Sequence, residues 1–176
     1  MKIKVVLLLI ISSIFTSGCS LKTPMTANEF KTKWPDSLTG KVDTYTANKS
    51  LKSITRIFNQ RTKACFKKTV NRSLCLKGAG VNSRADSTQT YTPRLKKTKN
   101  KLQLTIQKKR KGENVIMGQA IPKDGYYVFM TEIMYANRKS SKVKTYYGQH
   151  AGTEKFAKAV KNWVSGKSKG CPDITY

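Results

Sequence analysis

The feature that most constrains the fold is a change in hydrophobic period near residue 90. Between Lys101 and Lys108, apolar residues at 102, 104 and 106 alternate with polar residues at 103, 105 and 107. A period of two is typical of a strand that buries one face. Residues 109–113 and 122–125 are rich in turn-forming residues, so the sequence predicts an antiparallel meander of about four to five strands. The other strand candidates are Gly40–Thr46, Tyr91–Leu95, Asn114–Ile121, Tyr126–Tyr135 and Val143–Tyr147.

Helical periodicity occurs on both sides of this meander. Apolar residues recur at helical spacing from Lys49 to Val70 and again from Thr153 to Val164, where Gly166 suits the helix end. A capping box at residues 26–29 predicts a further short helix, and the glycine- and serine-containing segment 71–87 is predicted to be a loop that carries Cys75. A sheet with one apolar face needs a cover, so we predict a two-layer α+β fold in which the long helix and the C-terminal helix cover the meander.

The N-terminus carries a targeting pattern. Lys2 and Lys4 precede an apolar stretch, Val5–Phe15, which is too short to cross a bilayer as a helix, and small residues then run into Cys19. This order resembles the lipobox of bacterial lipoproteins. The resemblance implies a signal peptide at 1–18, lipid attachment at Cys19, a lipidated tether at 19–28 and a single basic domain at 29–176. The alternatives are an ordinary cleavable signal and an uncleaved N-terminal anchor.

The same resemblance suggests where in the cell the protein is located. Acyl chains on Cys19 would hold the protein on the membrane, because two or more chains anchor stably where one exchanges. Ser20 is not the aspartate that favours inner-membrane retention in enteric lipoproteins. We therefore expect the outer membrane of a Gram-negative envelope, with the domain facing the periplasm.

Four features of the mature region are similar to those of small uncharacterised envelope lipoproteins with a helix-grip-like α+β domain. They are Cys65 in the first long helix, the turn Pro122–Tyr126, the closing segment Trp163–Gly166, and Cys171 followed by proline. An exported chain favours a disulfide. If both helices lie on one face of the sheet, Cys65 and Cys171 can meet, whereas pairing of Cys65 with Cys75 would close a short loop; the first is favoured and the second stays open.

Few residues in this chain suit catalysis. The chain has nine acidic residues, which are scattered, and one histidine, whereas acid–base chemistry needs paired carboxylates or a positioned histidine. Glu132 is interpreted as a solvent-facing strand residue paired with a lysine, and His150 as a surface residue. The sequence contains no C-x-x-C pair, no phosphate-binding glycine loop and no zinc-type cysteine spacing. We predict that the protein is not an enzyme and uses no cofactor or metal.

The charge of the chain points to an anionic partner. The formal net charge is +26, and removing the signal with its two lysines leaves +24, which is more than solubility requires. The expected partners are the membrane through Cys19 and an anionic envelope polymer or lipid, or an acidic protein; nucleic acid is disfavoured by the envelope address. The candidate anion-binding residues lie in three clusters: Lys96, Lys97 and Lys99; Lys108, Lys109, Arg110 and Lys111; Arg138 and Lys139.

Two functions remain open at this stage. The leading hypothesis is a non-catalytic envelope lipoprotein whose basic domain binds its anionic partner alone or within an assembly. The alternative is a carrier that holds a lipid or another small hydrophobic molecule in a helix-grip-like cavity.

Overall fold

The computed structural model describes residues 23–78, 81–116, 118–148, 152–168 and 170–174. Within these residues the chain forms three helices and eight strands. The helices are α1 (Ala27–Lys33), α2 (Leu51–Phe66) and α3 (Thr153–Ser165). The strands are β1 (Gly40–Ala47), β2 (Lys68–Gly78), β3 (Val81–Lys97), β4 (Lys101–Arg110), β5 (Val115–Ile116), β6 (Gln119–Ala120), β7 (Tyr126–Tyr135) and β8 (Ser141–Gly148).

Six strands form one antiparallel sheet in the order β1-β8-β7-β4-β3-β2. The predicted α+β class and antiparallel meander are confirmed, but the strand count of four to five was too low. The described parts of the segment predicted as a loop, residues 71–78 and 81–87, instead form most of the β2–β3 hairpin, which pairs from Lys68–Tyr91 to Gly78–Val81. Residues 114–121, predicted as one strand, instead form the separate two-stranded sheet β5–β6.

Helices α2 and α3 cover the inner face of the sheet. The core between them contains Phe58 and Phe66 from α2, Phe156 and Trp163 from α3, and Phe129 from β7, each with at most 1% of its surface exposed. Their rings meet at centroid distances of 4.9–5.8 Å. Helix α2 begins after the cap at Ser50 and ends earlier than predicted, because β2 starts at Lys68. Gly166 ends α3 with a left-handed φ of 81°.

The short helix α1 lies on the opposite, outer face, so the predicted arrangement of two helices over one face was incomplete. Its capping box is present, with the Glu29 amide donating to the Thr26 hydroxyl at 3.1 Å. Phe30 is fully buried and forms a small second core with Met130 of β7 and Tyr146 of β8. Part of the outer face is therefore covered as well.

A disulfide joins Cys65, at the end of α2, to Cys171, beyond α3, with the two Cα atoms 4.9 Å apart. This is the pairing favoured from the sequence, and the rival Cys65–Cys75 pairing does not form. Because 106 residues separate the two cysteines, the link restricts the unfolded chain over most of the domain.

The sheet has two distinct ends. At the turn end lie the β3–β4 turn (98–100) and the β7–β8 turn (136–140), held together by a hydrogen bond from the Tyr135 amide to the Asn100 carbonyl at 2.9 Å. We call the opposite end, where the N-terminal segment lies, the tether end. There the Tyr127 amide donates to the Pro24 carbonyl at 3.1 Å. The described segment that begins at Thr23 therefore meets the sheet at the end opposite the two turns. The β2–β3 hairpin also extends past the tether end, beyond the Gln89–Arg110 pair of β3 and β4.

Candidate anion-binding surfaces

The acidic side chains are largely engaged with neighbouring residues, which leaves the basic surface uncompensated. At least seven of the nine acids interact with neighbouring groups in the described structure: Glu29, Asp43, Asp86, Asp124, Glu132, Glu154 and Asp173. Glu29 caps α1, and its pKa is lowered mainly by hydrogen bonds from the Met25 and Thr26 amides. Asp43 accepts a hydrogen bond from the Tyr147 hydroxyl at 3.0 Å.

Glu132 is the most deeply buried of these acids. Its side chain is 3% exposed on the outer face of the sheet, where it meets the Lys31 Nζ at 3.1 Å and the Lys101 Nζ. Burial by itself would raise the pKa of Glu132, but the hydrogen bonds and charges of Lys101 and Lys31 outweigh it and lower the pKa. The expectation of a lysine partner is confirmed, whereas the expectation of a solvent-facing side chain was wrong. The role of Glu132 is to fasten α1 to the sheet.

The first cationic surface, which we call the turn patch, comprises Lys96, Lys97, Lys99, Arg138 and Lys139. All five are exposed at the turn end. Two of the three predicted clusters thus meet in space although about 40 residues separate them, because β4 and β7 are paired neighbours. The Asn137 side chain fixes the β7–β8 turn by accepting from the Lys139 and Ser140 amides, both at 2.8 Å.

The turn patch has no acidic residue in the segments that build it. Residues 95–103 and 133–148 contain no aspartate or glutamate, and neighbouring Glu132 is already paired with two lysines. The positive charges are therefore not cancelled locally. Since exposed charges interact over about 8 Å at physiological salt, a partner carrying several negative charges can engage the whole patch at once.

The second cationic surface is a groove on the outer face near the tether end. It has a volume of about 430 Å³ and is lined by three threonines of β3 and by basic residues from the end of β4 and from two loops. The Lys111 amide donates to the Thr88 carbonyl at 2.9 Å, and the Lys109 Nζ donates to the Lys123 carbonyl at 3.3 Å. We call it the threonine groove; its lining includes Thr88, Thr90, Thr92, Lys109, Arg110, Lys111 and Lys123.

Sequence reasoning found three of the basic residues in the threonine groove but missed Lys123 and the threonines. The signal was present in the alternation of threonine at 88, 90 and 92, which places the three hydroxyls on one face of a strand. Asp124 also lines the groove, where Arg94 binds it. The groove is therefore more mixed in charge than the turn patch.

Lys108 does not belong to either surface, and its prediction as an exposed anion-binding residue is corrected. It is 6% exposed and lies on the inner face, with its ammonium 5.8 Å from the centre of the Tyr126 ring. The reason is the alternation of β4, which turns residues 102, 104, 106 and 108 toward the core. Burial raises the pKa of Tyr126.

An apolar cleft, which we call the tether cleft, lies where the N-terminal segment meets the sheet. Its volume is about 260 Å³, and it is lined by Thr23 and Pro24, by aromatic and aliphatic residues, and by the buried Lys108. Two strongly exposed apolar side chains adjoin it: Leu38 is 92% exposed and Val115 is 59% exposed. Their chain neighbours Thr39 and Ile116 line the cleft itself, along with Trp34, Tyr126, Tyr127 and Val128.

Two predicted positions, Cys19 and His150, lie outside the described residues. The described part of the chain holds no group of three or more His, Cys, Asp or Glu side chains arranged to bind a metal ion. Among the residues that the structure describes, no helix combines the length and the apolar character needed to span a bilayer.

The chain matches no protein-family model, no curated protein and no solved structure.

Proposed function

We propose that this protein is a non-catalytic lipoprotein of the bacterial envelope, anchored through acyl chains on Cys19, whose turn patch binds an anionic envelope polymer or lipid, or an acidic protein. The resemblance of the N-terminus to a lipobox supports the anchor, and Ser20 favours the outer membrane with a periplasm-facing domain. The domain gives the membrane-bound protein a second, electrostatic contact.

The observation that carries the proposal is the turn patch. Five exposed cations from two turns are held at one end of the sheet, in chain segments without an acidic residue. Each exposed ion pair contributes only about 0.2–1 kcal/mol. Binding at this surface therefore needs a polyanion that engages several cations together, and its affinity falls as salt rises.

The location of the turn patch also favours a partner beyond the membrane surface. The chain from Cys19 enters the domain at the tether end, whereas the patch lies at the other end of strands of 8 to 10 residues. At about 3.3 Å per residue, the two ends are about 30 Å apart. A domain held by its tether end presents the turn patch to polymers or proteins away from the anchoring leaflet.

A charge-matched pair of variants tests the proposal. One variant removes four cations of the turn patch, Lys97→Gln, Lys99→Gln, Arg138→Gln and Lys139→Gln. The control removes one arginine and three lysines that are also exposed but lie on the helices or just beyond, Arg56→Gln, Lys63→Gln, Lys67→Gln and Lys158→Gln. Both variants have the same net charge, so any difference reports where the polyanion binds.

The measurement is binding of the detergent-solubilised protein to immobilised polyglutamate and to lipopolysaccharide over a range of salt concentrations. We expect the patch variant to bind at least about tenfold more weakly than the control, from four lost contacts of a few tenths of a kcal/mol each. Equal weakening in the two variants would show that only the net charge matters, and the turn patch would lose its proposed role.

The carrier hypothesis remains a second proposal, and the tether cleft is the observation that favours it. In the core between α2 and the sheet, the space is occupied by contacting aromatic rings, so a small hydrophobic ligand would instead use the cleft beside Trp34 and Tyr127. Native mass spectrometry of the protein released from membranes distinguishes the two, because a carrier retains a bound lipid and a Trp34→Ala variant loses it.

A further inference from the structure

We infer that the tether end of the domain rests on the phospholipid leaflet that holds the anchor, with Leu38 and Val115 inserted at the membrane interface. This inference rests on the proposed function for the anchor at Cys19. It adds an orientation, and it divides the basic surfaces between two partners.

The first argument is the reach of the tether. Cys19 precedes Thr23 by four residues, and four residues span at most about 14 Å even when fully extended. Thr23 and Pro24 line the tether cleft, and the Pro24 carbonyl is bonded to the Tyr127 amide. An acyl group on Cys19 therefore keeps the cleft within a short distance of the bilayer surface.

The second argument is the position of the exposed apolar side chains. Of the three exposed large apolar side chains among the described residues, Tyr135 is 50% exposed and lies at the turn end. The other two, Leu38 in the α1–β1 loop and Val115 in the β5–β6 hairpin, come from different parts of the chain, yet both adjoin the tether cleft. Each is exposed by more than half, which leaves apolar surface in water. Contact with a membrane interface would remove this apolar surface from water. The tether holds this end of the domain close to that interface.

The third argument is charge. At the tether end the cations Arg110, Lys111 and Lys123 are exposed, while Asp124 is paired with Arg94 and Glu154 with Lys41. Asp36 and Glu113 also lie near this end, so the charge is mixed. Such a surface fits a leaflet of zwitterionic and anionic headgroups, whereas the turn patch, without acids in its segments, fits a polyanion.

The β2–β3 hairpin limits how the domain can be oriented on the bilayer. It extends past the tether end on the opposite edge of the sheet, four to five strand spacings, or about 19–24 Å, from β1. For the rim of the cleft to touch the bilayer, the sheet must tilt toward its β1 edge. The leaflet then contacts the loops around Leu38 and Val115, and the turn patch points away from it.

Tryptophan scanning of the anchored protein tests this orientation. Three variants, Leu38→Trp, Val115→Trp and Lys99→Trp, are reconstituted with their acyl chains into vesicles of phosphatidylethanolamine and phosphatidylglycerol. Quenching by lipids brominated on the acyl chains is compared with the parent, which has Trp34 and Trp163 only. We expect added quenching for the first two and none for Lys99→Trp. Equal quenching of all three, or quenching of Lys99→Trp alone, would overturn the inference.

A second measurement needs no substitution. A membrane-impermeant amine reagent, applied to vesicles and to the detergent-released protein, is expected to label Lys111 and Lys123 several-fold less on vesicles, with Lys99 and Lys139 unchanged. Uniform labelling contradicts the inference. The intact mass of the same sample reports acylation separately. If no acyl group is found, the proposed anchor is wrong. The three tryptophan variants can then be adsorbed to phosphatidylglycerol vesicles at low salt, where quenching by the brominated lipids still shows which end of the domain contacts the bilayer.

Discussion

At the scale of single residues, Glu132 shows how this basic chain uses one of its few acids. The carboxylate is almost fully buried yet receives two ammonium groups, one from α1 and one from β4. Removing water from a charge is costly unless the charge is paired and hydrogen-bonded. Glu132 therefore stabilises the contact of α1 with the outer face.

Replacing Glu132 by glutamine tests this role. We expect Glu132→Gln to lower the free energy of unfolding by about 1–3 kcal/mol at neutral pH, since charged hydrogen bonds are lost in a buried setting. Glu154→Gln is the control, because Glu154 is 54% exposed and lies 4.0 Å from Lys41, and it should change little. Urea unfolding followed by circular dichroism gives both values.

The difference in stability between the parent and Glu132→Gln is predicted to depend on pH. The folded pKa of Glu132 lies below its ordinary value of 4.5, so the ion pairs stabilise the fold above that pH. This stabilisation is lost as the pH falls through the folded pKa. The difference in unfolding free energy between the parent and Glu132→Gln should therefore shrink in acid. A difference that stays constant down to strongly acidic pH would contradict the assigned ion pairs.

At the scale of elements, the turn before β7 depends on a close backbone approach. Gly125 has a φ of 94°, and a Cβ atom there would overlap the carbonyl oxygen of Lys108. Its own carbonyl accepts from the Gln107 side chain at 2.9 Å. Gly112, in the turn after β4, also has a positive φ of 79°, but a Cβ atom would meet nothing within 4 Å.

These two glycines form a matched comparison. Gly112→Ala should lower the free energy of unfolding by about 1–2 kcal/mol, because alanine is strained in the left-handed backbone conformation. Gly125→Ala has the same backbone strain and must also move β7 away from Lys108, which should lower the free energy of unfolding by about a further 1–3 kcal/mol. Urea midpoints of the two variants should therefore differ clearly. Equal midpoints would mean that β7 does not approach β4 as closely at this turn as described.

The elements differ in how far the sequence predicts them. Strands β4, β7 and β8 bury apolar side chains on one face, so their alternation is visible, and the capping box and Gly166 mark helix ends. The sequence does not show the β2–β3 hairpin, because the part of it farthest from the core consists mainly of polar residues, glycine and alanine around one short apolar run, Leu74–Leu76. Backbone hydrogen bonds hold such a hairpin without an apolar period. The burial of Lys108 is hard to predict because it belongs to a run of four basic residues, whose charge obscures the strand alternation that turns it toward the core.

At the scale of the whole molecule, strand order decides which basic clusters meet. The sequence shows three clusters, but only the pairing of β4 with β7 brings the β3–β4 and β7–β8 turns to one end. The same order places the N-terminal segment and two exposed apolar side chains at the other end. Such long-range pairing is not encoded in local pattern. This separation is the basis for our proposal that one end contacts a membrane and the other binds a polyanion.

The orientation and the function both depend on lipid at Cys19. The most direct test is the intact mass of the protein purified from membranes, measured before and after reduction. The account predicts a chain that begins at Cys19, carries fatty-acyl groups, and gains two hydrogen atoms on reduction from the single Cys65–Cys171 disulfide. A chain that begins at Met1, or one that starts at Cys19 without acyl mass, would contradict it.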